Sequence, residues 1–401
     1  MSADTIDDHK ARSDAEIEAH RDELLSLSHD IWSHPELCYA EAHAHDVLTG
    51  ALDRHGFRVE RGAFGLETAF AAELETPRAN GPRVALICEY DALPGLGHAC
   101  GHNIIASSGL GAALGAAAVA SALDGRLVVF GTPAEEGGGG KALMIREGML
   151  DGVDVAMMVH PADADLDAFW AIAIHELHVE YSGIAAHAAA APHKGRNALD
   201  AAVLGYMAVA ALRQHIAPHE RIHGVFTDGG DKPNIVPHHS AMQWYVRSGT
   251  RSTLAELEPR VLAALRSGAI ATGCEMSHRW IDPAYDDLVT NQHLDGLYAK
   301  NAARVGRTVR SRDAAPEFLG STDMGNVSQV VPSIHPMIAA APSGTSIHTE
   351  AFAAAAVSDL GDLAVIDGAR TLAATAIDLW ARPELVAEAK TELRRRLGHD
   401  S

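Results

Sequence analysis

The sequence predicts a helix-flanked, mostly parallel α/β sheet into which a smaller α+β module is inserted, and three observations predict it. Apolar runs bounded by Gly and Pro alternate with stretches of helical spacing, as in residues 83–88 between Gly81-Pro82 and Pro94-Gly95. Each such run leads into a group of chemically active side chains, and open α/β sheets collect these beyond the C-terminal ends of their strands. From residue 171 to 285 the order becomes strand, helix, two strands, helix, strand, a split α+β pattern. Residues 1–170 and 286–401 are therefore expected to form the sheet domain that carries these side chains, and 171–285 the inserted one.

Taken in order, residues 14–32 place Ile17, Leu24, Leu25, Leu27 and Ile31 at helical spacing, and that helix ends before His34-Pro35-Glu36. A helix over 41–55 with Gly56 at its C-cap leads to a strand at 57–60. The strand 83–88, a small-residue helix 104–122, the strand 127–130, a helix around 142–149 and the strand 153–159 continue the alternation. In the inserted module a strand spans 171–181, a long helix 198–215, a strand pair 222–227 and 242–247, a helix 253–271 and a strand 275–281. The chain then returns through a helix at 288–303, a loop at 318–325, a strand at 335–339 and closing helices at 360–381 and 384–397.

Composition bounds the function. With 401 residues, 47% hydrophobic and 21% charged, the chain can bury a large core in two domains. A net charge of −21 argues against nucleic acid and against an anionic membrane surface, both of which attract basic patches. No run approaches the roughly 18 apolar residues of a spanning helix. Residues 1–8 are acidic and polar, unlike a signal peptide, and four cysteines (Cys38, Cys88, Cys100, Cys274) in so long a chain are no disulfide framework, so a cytoplasmic location is the default expectation.

Three strand ends carry the chemistry. After residues 83–88 come Glu89, Asp91 and, past two glycines, His98, Cys100 and His102; a thiolate and an imidazole two residues apart on a loop can reach one metal ion. In a chain with 24 histidines the same pair is also compatible with ordinary burial. After 127–130 comes Glu135-Glu136-Gly137-Gly138-Gly139-Gly140-Lys141, two adjacent acids on a turn that glycine frees to bend, with room for one to bind metal and the other to move protons; a flexible surface turn would read the same way. After 153–159 comes His160-Pro161.

In these residues the chain resembles the M20 metallopeptidases, specifically their aminoacylase-like branch of aminobenzoyl-glutamate hydrolases, auxin-conjugate hydrolases and M20-domain dipeptidases. The resemblance rests on Asp91-Ala92-Leu93-Pro94, His98-Ala99-Cys100-Gly101-His102, Pro133-Ala134-Glu135-Glu136-Gly137, His160-Pro161 and Gly344-Thr345-Ser346-Ile347-His348-Thr349, in the family's order and over most of the chain. Asn103 stands where the auxin-conjugate type usually has Asp, which brings the chain nearer to the aminobenzoyl-glutamate hydrolase and dipeptidase group.

The resemblance implies Cys100, His102, Glu136, His160 and His348 as ligands, Glu135 as general acid/base and Asp91 as the group that orients a ligand. Glu89 stands where many relatives carry a metal-binding His, and His98 reads as packing or as support for a ligand. Five ligands fit two divalent ions roughly 3.5–4 Å apart if one ligand bridges. Zinc or manganese suits them, with cobalt or nickel also accommodated. The inserted module is then a lid whose edge makes a homodimer. His187 matches the lid histidine that steadies the oxyanion at a partner's site, Asn234 matches a residue that holds substrate, and Arg247 is a candidate for a substrate carboxylate or else a surface charge. The implied reaction is hydrolysis of an amide bond in a small N-acyl amino acid or dipeptide; a non-catalytic or single-metal protein on the same fold is the alternative, and the retained Glu135 argues for the enzyme.

Overall fold

The computed structural model describes residues 3–76, 80–314 and 319–398. Its contacts divide the chain into two compact units, one made of the segments up to Trp170 and from Leu288 onward, the other of Ala171–Asp287.

The first unit opens with α1 (Ala3–Ala19), α2 (Arg21–Ser33), α3 (Ala42–Arg54), β1 (Arg58–Arg61), β2 (Phe70–Glu73), β3 (Arg83–Glu89), α4 (His102–Ala120), β4 (Arg126–Thr132), α5 (Gly140–Arg146) and β5 (Val155–Met157). Its six-stranded sheet runs β1-β2-β4-β3-β5 and then Ser333–Ile334; the first two pairings are antiparallel and the rest parallel. The central strands Arg83–Glu89 and Arg126–Thr132 are buried beyond their first residue, as continuous Val/Leu/Ile runs covered on both faces must be. The α4 helix packs on this sheet and against α1, α2 and the helix Asp359–Ala381.

Three expectations need correction. The single helix over 14–32 is two, α1 and α2, which meet at His20, and α1 begins well before residue 14. Its start escapes a hydrophobic-spacing test because part of its inner face is polar: buried Lys10 donates to Asp378 at 2.6 Å and to Asn301 at 2.8 Å. Secondly, α4 is long and apolar enough to cross a membrane; nearly all of it is buried in the core, where an all-round apolar helix belongs. Thirdly, the expected loop at 318–325 contains the strand Leu319–Gly320 and the start of a helix, Met324–Ser328, while Phe318 lies outside the described residues.

The second unit is a four-stranded antiparallel sheet in the order Glu275–Tyr285, Ala173–Ser182, His239–Ser248, Arg221–Asp228. Leu177, Val179, Tyr181, Met242, Trp244 and Val246 alternate inward beneath the helices Ala198–Leu212 and Arg251–Thr272. Those helices approach closely, since a Cβ on Gly268 would stand 2.0 Å from the Ala201 carbonyl oxygen. The opposite face carries Glu176, His178 and Gln243, which hydrogen-bond one another and lie in partial contact with water.

Candidate metal centre

The end of β3 and the start of α4 are joined by a turn that admits only glycine at its last position. Gly101 has φ +77°, and a Cβ there would meet Pro161 Cγ at 2.5 Å. This turn presents Cys100 just before the helix and His102 at its first residue, both buried. His102 Nδ1–H donates to Asp91 Oδ1 at 3.1 Å, which leaves Nε2 facing the cluster. The other Asp91 oxygen accepts the Glu136 backbone N–H at 2.9 Å and the Cys38 thiol at 3.6 Å. One carboxylate thus ties together groups from two strand ends. Burial opposes its ionisation, but the hydrogen bond and charge of His102 bring its pKa down to about 2.

At the end of β4 the backbone takes a left-handed step at Ala134 (φ 60°), stabilised where the Ala134 N–H donates to Glu41 Oε1 at 2.9 Å. Glu135 and Glu136 follow. Of the glycines after them, Gly139 is required by its φ of +67° and Gly140 by space, since a Cβ there would stand 2.0 Å from the Pro133 carbonyl oxygen. His160, just past β5, donates Nδ1–H to the Pro161 carbonyl at 2.8 Å, and its Nε2 lies 3.5 Å from Cys100 Sγ. His335 stacks on the His160 ring at 5.2 Å. His348 holds a left-handed backbone (φ 61°), with its N–H on the Ala99 carbonyl at 2.8 Å, and places Nε2 3.6 Å from Glu136 Oε1. A non-glycine residue in that region costs on the order of 1–3 kcal/mol and is found where the surroundings fix it.

The donor atoms form two triads that share Cys100, namely Cys100 with His102 and His160, and Cys100 with Glu136 and His348; the atoms of each lie within 4.8 Å of one another. A third set joins His102 and Glu136 to Glu135 at the same spacing. His102 Nε2 and Glu136 Oε1 are buried without a hydrogen-bond partner among the described residues. Orphaned donors of this kind, beside a thiol that can bridge, fit a centre for divalent ions. Burial, followed by the charges of Glu89, Glu136 and Asp323, pushes the Glu135 carboxyl well above the usual range; burial also raises the Cys100 thiol. Cations in the cluster would act against both effects, because a coordinating thiol is deprotonated. His98 is buried with its pKa lowered to about 3 by burial, the state of a packed neutral imidazole.

Sequence reasoning missed the ion triplet beside these donors. Lys141 Nζ lies 2.6 Å from Glu89 Oε1 and 2.6 Å from Asp323 Oδ1, and all three side chains are fully buried. Asp323 Oδ2 also accepts the Lys141 backbone N–H at 2.9 Å, which fixes the start of α5 after the glycines. Burial raises the Asp323 carboxyl, with Lys141 opposing, to about 6. The available signals were an acid at position 89 where a ligand was expected and a lysine directly after four glycines; Asp323 had no local signal at all.

In the second unit, His187 and Asn234 come together. His187 bridges Ile235, the Ala188 N–H donates to the Asn234 carbonyl at 3.0 Å, and the His187 and Asn234 side chains are exposed. His187 Nδ1 accepts the Ala190 N–H at 3.1 Å, so its Nε2 is the nitrogen left to act outward. Arg247 stands apart from them. It pairs with Ile174 at the far end of the sheet, eight residues or about 26 Å along the strand from His239, and its Nε is 3.3 Å from His223 Nε2.

Comparison with known proteins adds the following. Residues 85–369 match the model of peptidase family M20/M25/M40. The Xaa-Arg dipeptidase of Mus musculus is 40% identical over 400 residues, covering 97% of this chain and 93% of that protein. One of the p-aminobenzoyl-glutamate hydrolase polypeptides of Escherichia coli (strain K12) is 28% identical over 456 residues, covering 94% of this chain and 93% of its own. Among solved structures, a dinuclear metal-binding M20 peptidase from Bacillus subtilis superposes with a TM-score of 0.71 at 19% identity, covering 90% of this chain and 99% of its own, and shares the fold.

Proposed function

The chain belongs to peptidase family M20/M25/M40 and hydrolyses amide or peptide bonds, and from that premise we propose that it is a dinuclear metal-dependent dipeptidase whose substrates end in a basic residue. The observation that carries the metal reading is the pair of donor triads sharing Cys100, with His102 Nε2 and Glu136 Oε1 otherwise unsatisfied. Divalent ions bound there would acidify a water and polarise the scissile carbonyl. Glu135 takes the proton of the attacking water and returns it to the departing amine nitrogen. Asp91 holds the His102 ring in the tautomer that offers Nε2. The preference for a basic residue rests on the likeness to the Xaa-Arg dipeptidase, and the net charge of −21 favours cationic substrates over long range.

The active form in this reading is a homodimer. The edge strand Arg221–Asp228 exposes Val225 on one face and Phe226 on the other, and the helix Ala198–Leu212, whose Tyr206 stacks on Phe226, exposes Val203, Leu204 and Met207, an apolar edge of the kind that pairs with another strand. His187 and Asn234, at the opposite end of the sheet from Arg247, serve the metal site of the second copy, where the His187 imidazole steadies the developing oxyanion.

The test is release of free amino acid from a panel of Xaa-Arg and Xaa-Lys dipeptides, neutral dipeptides and aminobenzoyl-glutamate, by wild type and Glu135→Gln. Basic dipeptides should be turned over best, and Glu135→Gln should keep its metal while kcat falls by about 10²–10⁴-fold. Full turnover in that variant, or a preference for acidic substrates, would overturn the reading.

A further inference from the structure

A second group of metal-type donors sits on the connection between α2 and α3. Asp30 and His34 are one helical turn apart at the end of α2, so their side chains share a face, and His43 approaches them from the first turn of α3. His34 Nδ1 lies 3.3 Å from Asp30 Oδ1, His43 Nε2 lies 2.8 Å from Asp30 Oδ2, and the two rings are 4.3 Å apart. All three donor atoms fall within 4.8 Å of one another. Donors around a tetrahedral ion at 2.0–2.1 Å stand about 3.3 Å apart, so the spacing is close to a binding geometry, and His34 Nδ1 exchanges its contacts with the Asp30 carbonyl at 2.9 Å and Ser33 Oγ at 3.1 Å for the ion. Two imidazoles with one carboxylate is also the donor chemistry of borderline first-row divalent ions.

We propose that Asp30, His34 and His43 form a peripheral site for a zinc-class divalent ion, which staples the α2–α3 connection. That connection supports the strand ends of the metal centre. Its Tyr39 hydroxyl donates to the Gly138 carbonyl at 2.6 Å, its Glu36 carbonyl accepts the Ala92 N–H at 2.8 Å, and its Cys38 thiol reaches Asp91. An ion joining the end of α2 to the start of α3 fixes both ends of residues 34–41 and, through these bonds, the turns that carry Asp91 and Glu135.

A similar trio at the opposite ends of the same two helices, His20, Glu23 and His55, makes the internal contrast. There Arg54 Nη2 lies 3.0 Å from Glu23 Oε1, so the carboxylate already has a permanent cation that a metal ion would face at close range. Among the described residues, the ion-pair partners of Asp30 are the two imidazoles alone.

The experiment uses the full chain, stripped with chelator and reloaded with zinc alone. Bound zinc per chain is measured by elemental analysis for wild type, His43→Ala, Asp30→Asn and His55→Ala, each also in a Cys100→Ser background so that changes at the catalytic cluster are counted separately. Wild type and His55→Ala should hold one more equivalent than His43→Ala and Asp30→Asn in both backgrounds. Zinc should also slow amide hydrogen exchange across residues 34–41 in wild type and leave it unchanged in His43→Ala. Equal zinc in all four proteins, or loss with His55→Ala in place of His43→Ala, overturns the site; unchanged exchange on zinc addition overturns the staple.

Discussion

In the unit built on the six-stranded sheet charge is inside: Glu89, Lys141 and Asp323 are fully enclosed, with Glu135, Asp91 and His102 buried near them. In the Ala171–Asp287 unit apolar surface is outside: Met207 and Val225 are each 60% exposed, with Phe226 and Leu204 close behind. Each pattern opposes what folding alone favours, since burying charge costs several kcal/mol per ion and exposed apolar area forgoes about 25 cal/mol per Å². Departures of this kind mark where a surface or cavity is completed by something else. On the function proposed above, the donors of the first unit take cations, and the bare edge of the second takes a second chain.

The comparison can be broken first at Lys141. Lys141→Met leaves Glu89 and Asp323 buried without their shared cation, and removing one member of a buried ion cluster costs about 3–5 kcal/mol. Denaturant unfolding should show that loss, and adding Glu89→Gln with Asp323→Asn should recover much of it. A Lys141→Met protein as stable as wild type would mean that the triplet carries no net charge to compensate.

The second unit is sharpened by Val225→Lys, which sets a charge on the exposed edge strand. Sedimentation should show a monomer whose apolar core is intact. Its activity should fall on the order of 10²–10³-fold, the effect of losing one oxyanion donor, while metal content stays at the wild-type level. A monomer with full activity would place His187 in its own chain's site or outside the reaction.

The sequence made the first unit's candidate site legible because its donors sit near strand ends, where local pattern and chemistry coincide; Glu135, Glu136 and His160 follow an apolar run within a few residues, and Cys100 and His102 lie where the turn after β3 enters α4. Legibility failed where burial depends on distant partners. Lys10 reads as surface until Asp378, hundreds of residues away, is seen to neutralise it, and Asp323 reads as a loop acid until Lys141 reaches it. Phe70–Glu73 escaped as a strand because it is only four residues long; β1 pairs with it on one side, and on the other it needs β4, which is remote in sequence. In the second unit the split pattern was readable from alternation alone, whereas the sequence could not separate Arg247 from His187, because only the strand register sets them at opposite ends.

The central claim is that the two triads sharing Cys100 each hold an ion in the working enzyme. Its most direct test is divalent metal per chain in fully active protein carrying His34→Ala, so that the peripheral cluster does not contribute, with Cys100→Ser alongside. The account predicts two ions per chain at full activity and loss of both affinities when the shared thiol is replaced; full activity with one ion per chain, or a Cys100→Ser protein that binds two as tightly as before, would contradict it.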